Sequence, residues 1–437
     1  MRTRLRSLAA TGLAALGLLA ATVPAGAASA NEDLLDLANF ELRPNSMGDE
    51  LKNRVALLDE QLPNVGVGSI IADANRQGEL GDAYTPCNSA AAGDQLSSVH
   101  KSICFNSGDG STGLWMPQGV TTVADAQDDQ HWGEENQPVL VSWYDSSDDG
   151  VEKGTRVTFV DPHTGKYRHV LLVYPTINSY GNPSYMSLRN EQTSGGKSLH
   201  AGGIVWYGNF LYVADTNRGF RVFDMRHIYD LGAASNGDTE DSDKIGRHDG
   251  TYYGHGYRYV MPQVGSWTRT APTGTKCTTA DGSPQFSHVS LDRSGADHLV
   301  AGEYCAGTEQ VNGRVAAWPI AGAFDANNEL VTDTSYRWNA DAAHKLPVSN
   351  VQGATRFNGR WYLSRSRGTS TAGTFYTTEP ATSSTTTLQV ASSQQLSIGP
   401  EDLSHWQSGT DPANPGLGDF WTVAEHPGKR MVYAVRP

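Results

Sequence analysis

The segment Lys197–Met225, KSLHAGGIVWYGNFLYVADTNRGFRVFDM, carries the pattern that decides the fold. It predicts three short strands joined by two tight turns, because Gly-Asn and Asn-Arg-Gly tolerate the positive φ that such turns require. The strands are Ala201–Trp206, Phe210–Ala214 and Phe220–Phe223. A three-stranded meander cannot bury both of its faces alone, so it needs copies of itself on either side.

Four other segments repeat this order of strands and turns. They are Trp115–Gly165, Phe286–Ile320, Val351–Glu379 and Pro400–Val435. Five copies of one unit predict an all-β protein, a five-bladed β-propeller. A six-bladed ring is the alternative, with an extra blade from residues 65–110, but that stretch is short and irregular.

The way the ring closes follows from the end of the chain. Four copies continue into a fourth, outer strand: Tyr167–Tyr174, Tyr257–Gln263, Thr334–Trp338 and Thr386–Ser392. The fifth copy cannot, because the chain stops at Pro437. We therefore expect Ser97–Phe105 to supply the missing outer strand and cover an otherwise exposed sheet edge. The propeller domain is accordingly predicted over 97–437.

Two segments precede the propeller. Residues 1–30 combine three arginines, an apolar run and the small residues Ala28-Ser29-Ala30, which is typical of a secretory signal peptide. Residues 31–96 form an N-terminal helical and loop lead, which either packs on the propeller or is a cleavable pro-segment. Leu51, Val55, Leu58 and Leu62 recur at helical spacing and predict one buried helix face.

The composition indicates which classes of partner are excluded and where the protein is located. Removing residues 1–30 takes the formal net charge from −14 to −17. A surface this acidic repels nucleic acid and anionic lipid, and no later stretch is apolar enough to cross a bilayer. We expect a secreted, extracellular monomer. Its four cysteines predict two disulfides, and proximity favours Cys87–Cys104 and Cys277–Cys305 among three possible pairings.

The blade order predicts which side chains meet. In a meander, the start of the inner strand and the end of the second strand lie at one end of the sheet, which we call the mouth face. Inner strands bring Gln118, His200, His288, Gln352 and Glu401 to that face, and second strands bring Asp145, Asp215, Glu303, Arg365 and Glu425. The long loops between blades add Tyr180, Tyr185, Arg189 and Trp267. Converging polar groups in a concave site indicate binding or catalysis, although such a ring can also hold only water.

Three mechanisms would use this set. A glycan lyase needs a neutral histidine as base, a tyrosine as acid and an arginine against the uronate. A glycosidase needs two carboxylates across the scissile bond. A metal enzyme would hold a divalent ion, but only two copies offer histidine. For the lyase the candidates are His200, His288, Arg365 and Arg367, with Tyr304 or Tyr144 as the acid. For the glycosidase they are Glu303, Glu401 and Asp215, and for the metal enzyme they are His200, His288 and Glu401.

A cofactor is left unassigned. The acidic runs Asp145–Asp149 and Asp238–Asp243 contain the oxygen ligands that Ca²⁺ prefers. Neither has the glycine placement of a twelve-residue calcium loop, so we expect solvated loops, with Ca²⁺ or another divalent metal as the open alternative. No metal-binding residue is predicted.

Two stretches resemble known propellers. LYVADTNRGFRVFDM resembles the strand pair of the LVIVD-type propeller repeat, and MPQGVT is similar to inner strands of secreted actinobacterial and gluconolactonase-like propellers. These resemblances cover single blades and imply the fold, not an activity. Five-bladed arabinanase-type glycosidases carry Asp, Asp and Glu at the inner strands of their first three blades, where this chain has Gln118, His200 and His288. Propeller polysaccharide lyases use His, Tyr and Arg, usually on seven blades.

The leading hypothesis is a secreted protein that acts on polysaccharide at a His-lined mouth, with elimination ahead of hydrolysis. The catalytic candidates are His200, His288, Arg365, Glu401 and Glu303. The alternatives are lectin-like carbohydrate binding and a partner-binding scaffold. Ring positions differ strongly between blades, which favours one central site over repeated pockets.

Overall fold

The computed structural model describes residues 34–82, 85–92, 99–146, 149–193, 195–272, 277, 282–307, 313–409 and 416–437. The predicted signal peptide lies outside these residues. Among the described residues, no helix is long and apolar enough to span a membrane.

The N-terminal lead is a chain of short elements. In order they are a 3-10 helix (Leu37–Phe40), β1 (Leu42–Pro44), α1 (Gly48–Asp59), β2 (Asn64–Val65), α2 (Val67–Ala72), β3 (Arg76–Gln77), β4 (Glu79–Gly81) and α3 (Ser89–Ala92). The helical face predicted from Leu51, Val55, Leu58 and Leu62 is confirmed, since all four side chains are buried. Val55 packs with Tyr212 and Trp338 in one core cluster, so the lead covers the outer side of the propeller.

Five antiparallel meanders follow, which makes the protein the predicted five-bladed propeller. Next along the chain come β5 (Val99–Cys104) and α4 (Ser107–Ser111). Blade 1 then contains β6 (Trp115–Thr122), α5 (Val123–Ala126), β7 (Val139–Asp145), β8 (Thr155–Val160) and β9 (Lys166–Ile177), and β10 (Pro183–Ser187) pairs with β9. Blade 2 contains β11 (Ile204–Tyr207), β12 (Phe210–Asp215), β13 (Gly219–Asp224) and, after the inserted β14 (Ile228–Asp230), β15 (Gly237–Asp238), β16 (Ile245–His248) and β17 (Thr251–Gly254), β18 (Tyr259–Arg269).

The remaining blades have the same order. Blade 3 contains β19 (Phe286–Asp292), β20 (His298–Glu303), β21 (Arg314–Pro319), the 3-10 helix Ile320–Ala323 and β22 (Ala342–Lys345). Blade 4 contains β23 (Val351–Phe357), β24 (Arg360–Arg365), β25 (Ala372–Thr378) and β26 (Val390–Ile398). Blade 5 contains β27 (Ser404–Ser408), β28 (Gly416–Val423) and β29 (Val432–Val435). Its fourth strand is β5, which pairs antiparallel with β29.

Neighbouring blades touch through their inner strands. A Cβ on Gly203 would lie 2.2 Å from the nitrogen of Val289, and one on Gly353 would lie 2.7 Å from the carbonyl carbon of Asp402. Contacts this short exclude any side chain, so these backbones approach directly and the inner strands pack tightly around the axis.

Two of the expected outer strands are wrong in position. Thr334–Trp338 is not the outer strand of blade 3, which is Ala342–Lys345. The indole of Trp338 is buried instead, and it lies 4.8 Å from that of Trp267. In blade 4 the outer strand begins at Val390, several residues beyond the expected Thr386.

Both predicted disulfides are present. Cys87 bonds to Cys104 at the end of β5, and Cys277 bonds to Cys305, which follows the second strand of blade 3. The described part of the chain has no free cysteine.

Candidate functional site

Four polar side chains meet at the mouth face, and we call them the acid–amide cluster: Gln118, Gln352, Glu401 and Glu425. The Gln118 Nε2 donates to Glu425 Oε1 at 2.8 Å, and the Gln352 Nε2 donates to Glu401 Oε1 at 3.0 Å. The cluster therefore joins blades 1, 4 and 5. All four residues belong to the predicted set.

The two glutamates lie side by side because the strands that carry them are hydrogen bonded. The Glu401 amide donates to Val423 O, and the Glu425 amide donates to Gly399 O. Glu401 is 2% exposed, whereas the Glu425 side chain is 18% exposed. Glu425 and the partly buried Gln352 thus give the cluster its contact with solvent.

Burial raises the pKa of Glu401 well above its ordinary value, and the neighbouring Glu425 charge raises it further. Burial also raises the pKa of Glu425, but His426, the Gln118 amide and Arg430 oppose that rise. The two carboxyl groups therefore share a site in which Glu401 has the stronger tendency to keep its proton.

Asp402 supports the cluster from below. Its Oδ2 accepts hydrogen bonds from the amides of Val120 and Ile204, each at 3.2 Å. This carboxyl group is fully buried, and burial raises its pKa well above the ordinary value. Asp402 thereby joins the inner strands of blades 1, 2 and 5.

Two residues of the mouth were not predicted. His426 Nδ1 lies 3.5 Å from Glu425 Oε2, and its buried Nε2 has no hydrogen-bond partner among the described residues. Arg430 donates through Nε to the Glu425 carbonyl at 2.8 Å. Burial lowers the pKa of Arg430 to about 10. The signal for His426 was its place directly after Glu425 at the end of a second strand.

The two predicted histidines have different surroundings. His200 is exposed, and its ring stacks on that of Tyr144 with centroids 4.7 Å apart. His288 is fully buried, and its ring packs against Gly302 and Val315 on the side of blade 3 that meets blade 4. Neither ring nitrogen of His288 has a hydrogen-bond partner in the described structure, and burial lowers its pKa to about 3. The mouth is therefore not lined by both histidines.

Three of the predicted carboxylates are hydrogen bonded to other groups of their own blades. Asp215 Oδ2 accepts from Arg221 Nε at 2.7 Å, and Asp145 accepts from the Lys153 amide at 2.6 Å. Glu303 receives Arg314 at both oxygens, at 2.9 and 3.0 Å. These groups stabilise the blades. Arg365, the proposed uronate ligand, donates to Tyr376 Oη at 3.3 Å.

The predicted aromatic wall is largely wrong. Tyr185 lies in β10 and Trp267 in β18, and both side chains are buried. Only Tyr180 is on the surface, with 88% of the residue exposed. The loops between blades contain strands of their own, and pairing turns these aromatic side chains into the core.

A cleft with a volume of about 790 Å³ lies on the opposite face, which we call the base face. Tyr207, Phe210 and Phe324 line it together with Asp128 and Arg293. No predicted site residue contributes to this wall.

Within the described ranges, no group of three His, Cys, Asp or Glu side chains is arranged to hold a metal ion. The acidic run at 238–243 is partly paired, since Lys244 Nζ lies 2.9 Å from Asp241 Oδ2.

No family model matches the chain, and no curated protein matches it. Similar solved structures include the GH43_1 enzyme from Xanthomonas citri, which is 10% identical with a TM-score of 0.30 and covers 74% of this chain and 88% of its own. They also include the PQQ-bound aldose sugar dehydrogenase from Streptomyces coelicolor, at 13% identity and a TM-score of 0.28, over 83% of this chain and 99% of its own. Hydrazine synthase from Kuenenia stuttgartiensis is 15% identical, with a TM-score of 0.29 over 71% of this chain and 74% of its own. At TM-scores below 0.5 these similarities establish neither fold nor function, and the strand pairing described above establishes the fold.

Proposed function

We propose that this is a secreted protein that binds a polysaccharide at the mouth face and hydrolyses it with Glu401 and Glu425. The proposal depends on one observation: two carboxyl groups lie side by side at the mouth in different electrostatic surroundings. Pairs of acids whose surroundings separate their pKa values are the pattern of acid and base residues in many hydrolases.

The surroundings assign the two roles. Burial and the charge of Glu425 raise the pKa of Glu401 although the Gln352 amide opposes them, so Glu401 is assigned the role of general acid. Glu425 has Arg430 and His426 beside it, which favour its ionised form. It therefore acts as the base or the nucleophile, and the anomeric configuration of the product distinguishes the two.

The rest of the mouth supplies groups for sugar binding. Glutamine amides donate and accept hydrogen bonds, as sugar hydroxyls do. The stacked Tyr144 and His200 rings add a flat surface against which a sugar ring can pack. Two disulfides and the signal-like first 30 residues support a secreted protein.

Carbohydrate binding without hydrolysis is the second candidate. The observation that favours it is the burial of Glu401, which is 2% exposed and offers a substrate little surface. Elimination is less well supported, because His288 is enclosed between two blades and cannot act as the base at the mouth.

The test is to incubate the purified protein with a panel of polysaccharides while following reducing ends and the absorbance of unsaturated uronates. We expect reducing ends without that absorbance. Glu425→Gln should lower the rate by roughly 10²-fold or more, because it removes a group acting on the reacting atoms. Glu60→Gln, which changes an exposed carboxylate of the N-terminal lead, is the control and should retain the full rate.

Other outcomes separate the candidates. A rise in uronate absorbance would establish elimination. Retention of a glycan with neither signal would establish binding alone. Full activity in Glu425→Gln would remove the acid–amide cluster from the mechanism.

A further inference from the structure

A polar pocket of about 250 Å³ lies at the outer edge of blade 1, where β9, β3 and the loop before β18 meet. Its wall includes Arg76, Arg168, Arg258, His169, His255 and Tyr257. We call it the arginine pocket. Its described wall contains no carboxylate, although the whole chain has a net charge of −14. Four other clefts on the described surface are each lined by at least one carboxylate.

The positive charges in this pocket are close together. The guanidinium groups of Arg168 and Arg258 lie 5.1 and 5.2 Å from the centroid of the same Tyr259 ring. Burial lowers the pKa of Arg168, Asp73 and Tyr259 raise it, and the charges of Arg258 and Arg76 lower it by smaller amounts. Asp73 Oδ2 lies 3.5 Å from Arg168 Nη1 and 3.0 Å from Arg258 Nη1, and a bound anion would add a second negative charge beside these arginines and Arg76.

Carboxylates outside the wall hold the arginines in place. Arg258 bonds Asp230 through Nε at 2.8 Å and Asp73 through Nη1 at 3.0 Å. Arg76 Nε lies 3.1 Å from Asp109 Oδ2. These pairs restrain side chains that otherwise lose much conformational freedom when they bind a ligand.

Donors remain for a ligand. A guanidinium group has five N–H bonds. Arg168 uses Nη1 toward Asp73, and its Nε and Nη2 meet no acceptor in the described part of the chain. Arg76 Nη2 is likewise without a described acceptor, since Nε and Nη1 face Asp109 and Asn75.

Burial disfavours the charged forms of the two histidines in the wall. His169 bonds Thr158 and Asp109 through its two nitrogens, and burial lowers its pKa to about 3. His255 bonds Ser242 O and Ser187 Oγ, and burial lowers its pKa as well. The positive charge of the wall therefore comes from arginine, which suits planar or tetrahedral oxyanions.

We propose that the arginine pocket binds an oxyanion, either free in solution or as an acidic substituent of a glycan. Sulfate, phosphate and carboxylate share the required chemistry, and the volume accommodates one such group with part of a sugar ring. The pocket is separate from the acid–amide cluster. Because its test needs no turnover, it can succeed or fail independently of the proposed hydrolysis.

The test is isothermal titration calorimetry with sulfate, inorganic phosphate and glucuronate, at constant ionic strength in chloride. We expect saturable binding of at least one ion with one site per chain. Arg168→Gln and Arg76→Gln should each weaken it roughly tenfold or more, the value of a charge-assisted hydrogen bond. Arg226→Gln is the control, because Arg226 pairs with Asp224 in a cleft lined by carboxylates.

Two variants keep the test informative. The Arg76 side chain is 32% exposed and that of Arg168 12%, so Arg76→Gln is the safer change for folding. Tighter binding of a sulfated or uronate-containing oligosaccharide than of the free ion would identify a glycan ligand, and equal affinity would identify the free ion. No saturable binding, or equal binding by the wild type and both variants, would overturn the proposal.

Discussion

Glu303 in blade 3 and Glu425 in blade 5 both lie near the end of the second strand of their blade, but their side chains have different neighbours. Glu303 is fully buried and is held at both oxygens by Arg314. Glu425 receives the amide of Gln118 and lies beside a second carboxyl group, Glu401. The two carboxylates therefore differ in their partners and not in their position in the blade: Glu303 pairs with an arginine, whereas Glu425 has an amide and a second carboxyl group beside it.

Blade 2 agrees with blade 3. Its equivalent Asp215 is buried and bonds Arg221 within the blade. A buried ion pair of this kind is costly to break from one side, because the remaining charge has no counterion. A raised carboxyl pKa, as at Glu401, indicates instead that the surroundings destabilise the negative charge.

The largest difference between the two glutamates is expected for the Glu303→Gln variant. This change leaves Arg314 buried without its carboxylate and should lower the free energy of unfolding by about 3–5 kcal/mol. Glu425→Gln, the matched change in blade 5, should cost less than about 1 kcal/mol. Urea denaturation at pH 7 measures both. Equal losses at the two positions would show that the surroundings do not distinguish them.

The dependence of stability on pH tests the raised pKa of Glu401. The folded pKa of Glu401 is raised above its ordinary 4.5, so its contribution is full below pH 4.5 and is lost as the pH rises through the folded value. Glu401→Gln should therefore flatten the fall of unfolding free energy with rising pH, by up to about 1.4 kcal/mol per pH unit. Unfolding measured from pH 4 to 9 checks this. An unchanged slope in the variant would contradict the raised pKa.

The smallest expected effect is at Gln352, whose amide bonds Glu401. Gln352→Leu removes one hydrogen bond at a partly buried position, so unfolding at pH 6 should lose no more than about 1.5 kcal/mol. The activity should fall more than the stability, because Glu401 loses the group that orients it. Parallel measurement of kcat and of unfolding free energy compares the two losses, and equal losses would make Gln352 merely structural.

The repeat of strands and turns is predictable from the sequence because it depends on turn residues and side-chain periodicity within short segments. Gly208-Asn209 and Asn217–Gly219 have the turn chemistry that the hairpins of blade 2 use, and the strands begin within three residues of their expected starts. The four leucine and valine positions of α1 were equally clear, since helical spacing puts them on one face. Four members of the mouth set also meet as the order of strands requires.

The sequence does not predict side-chain positions that depend on contacts between residues far apart in the chain. Whether His288 points to the axis or into the gap between blades depends on which face of β19 meets blade 4, and alternation along one strand cannot tell. The sequence predicts loops at Tyr185 and Trp267, because no local pattern indicates that residues 183–187 pair with β9 or that β18 continues to Arg269. The arginine pocket assembles side chains from positions 76, 168 and 258, which no local pattern connects.

The pairing of β5 with β29 has a consequence for the order of folding. Residues 99–104 leave the ribosome long before residues 432–435. The edge of β5 therefore has no partner until β29 has been synthesised. Loop closure over more than three hundred residues is slow, which makes final assembly a late event. Glu401 and Glu425 both belong to blade 5, so the paired acids can form only after the ribosome has synthesised residues 401 and 425.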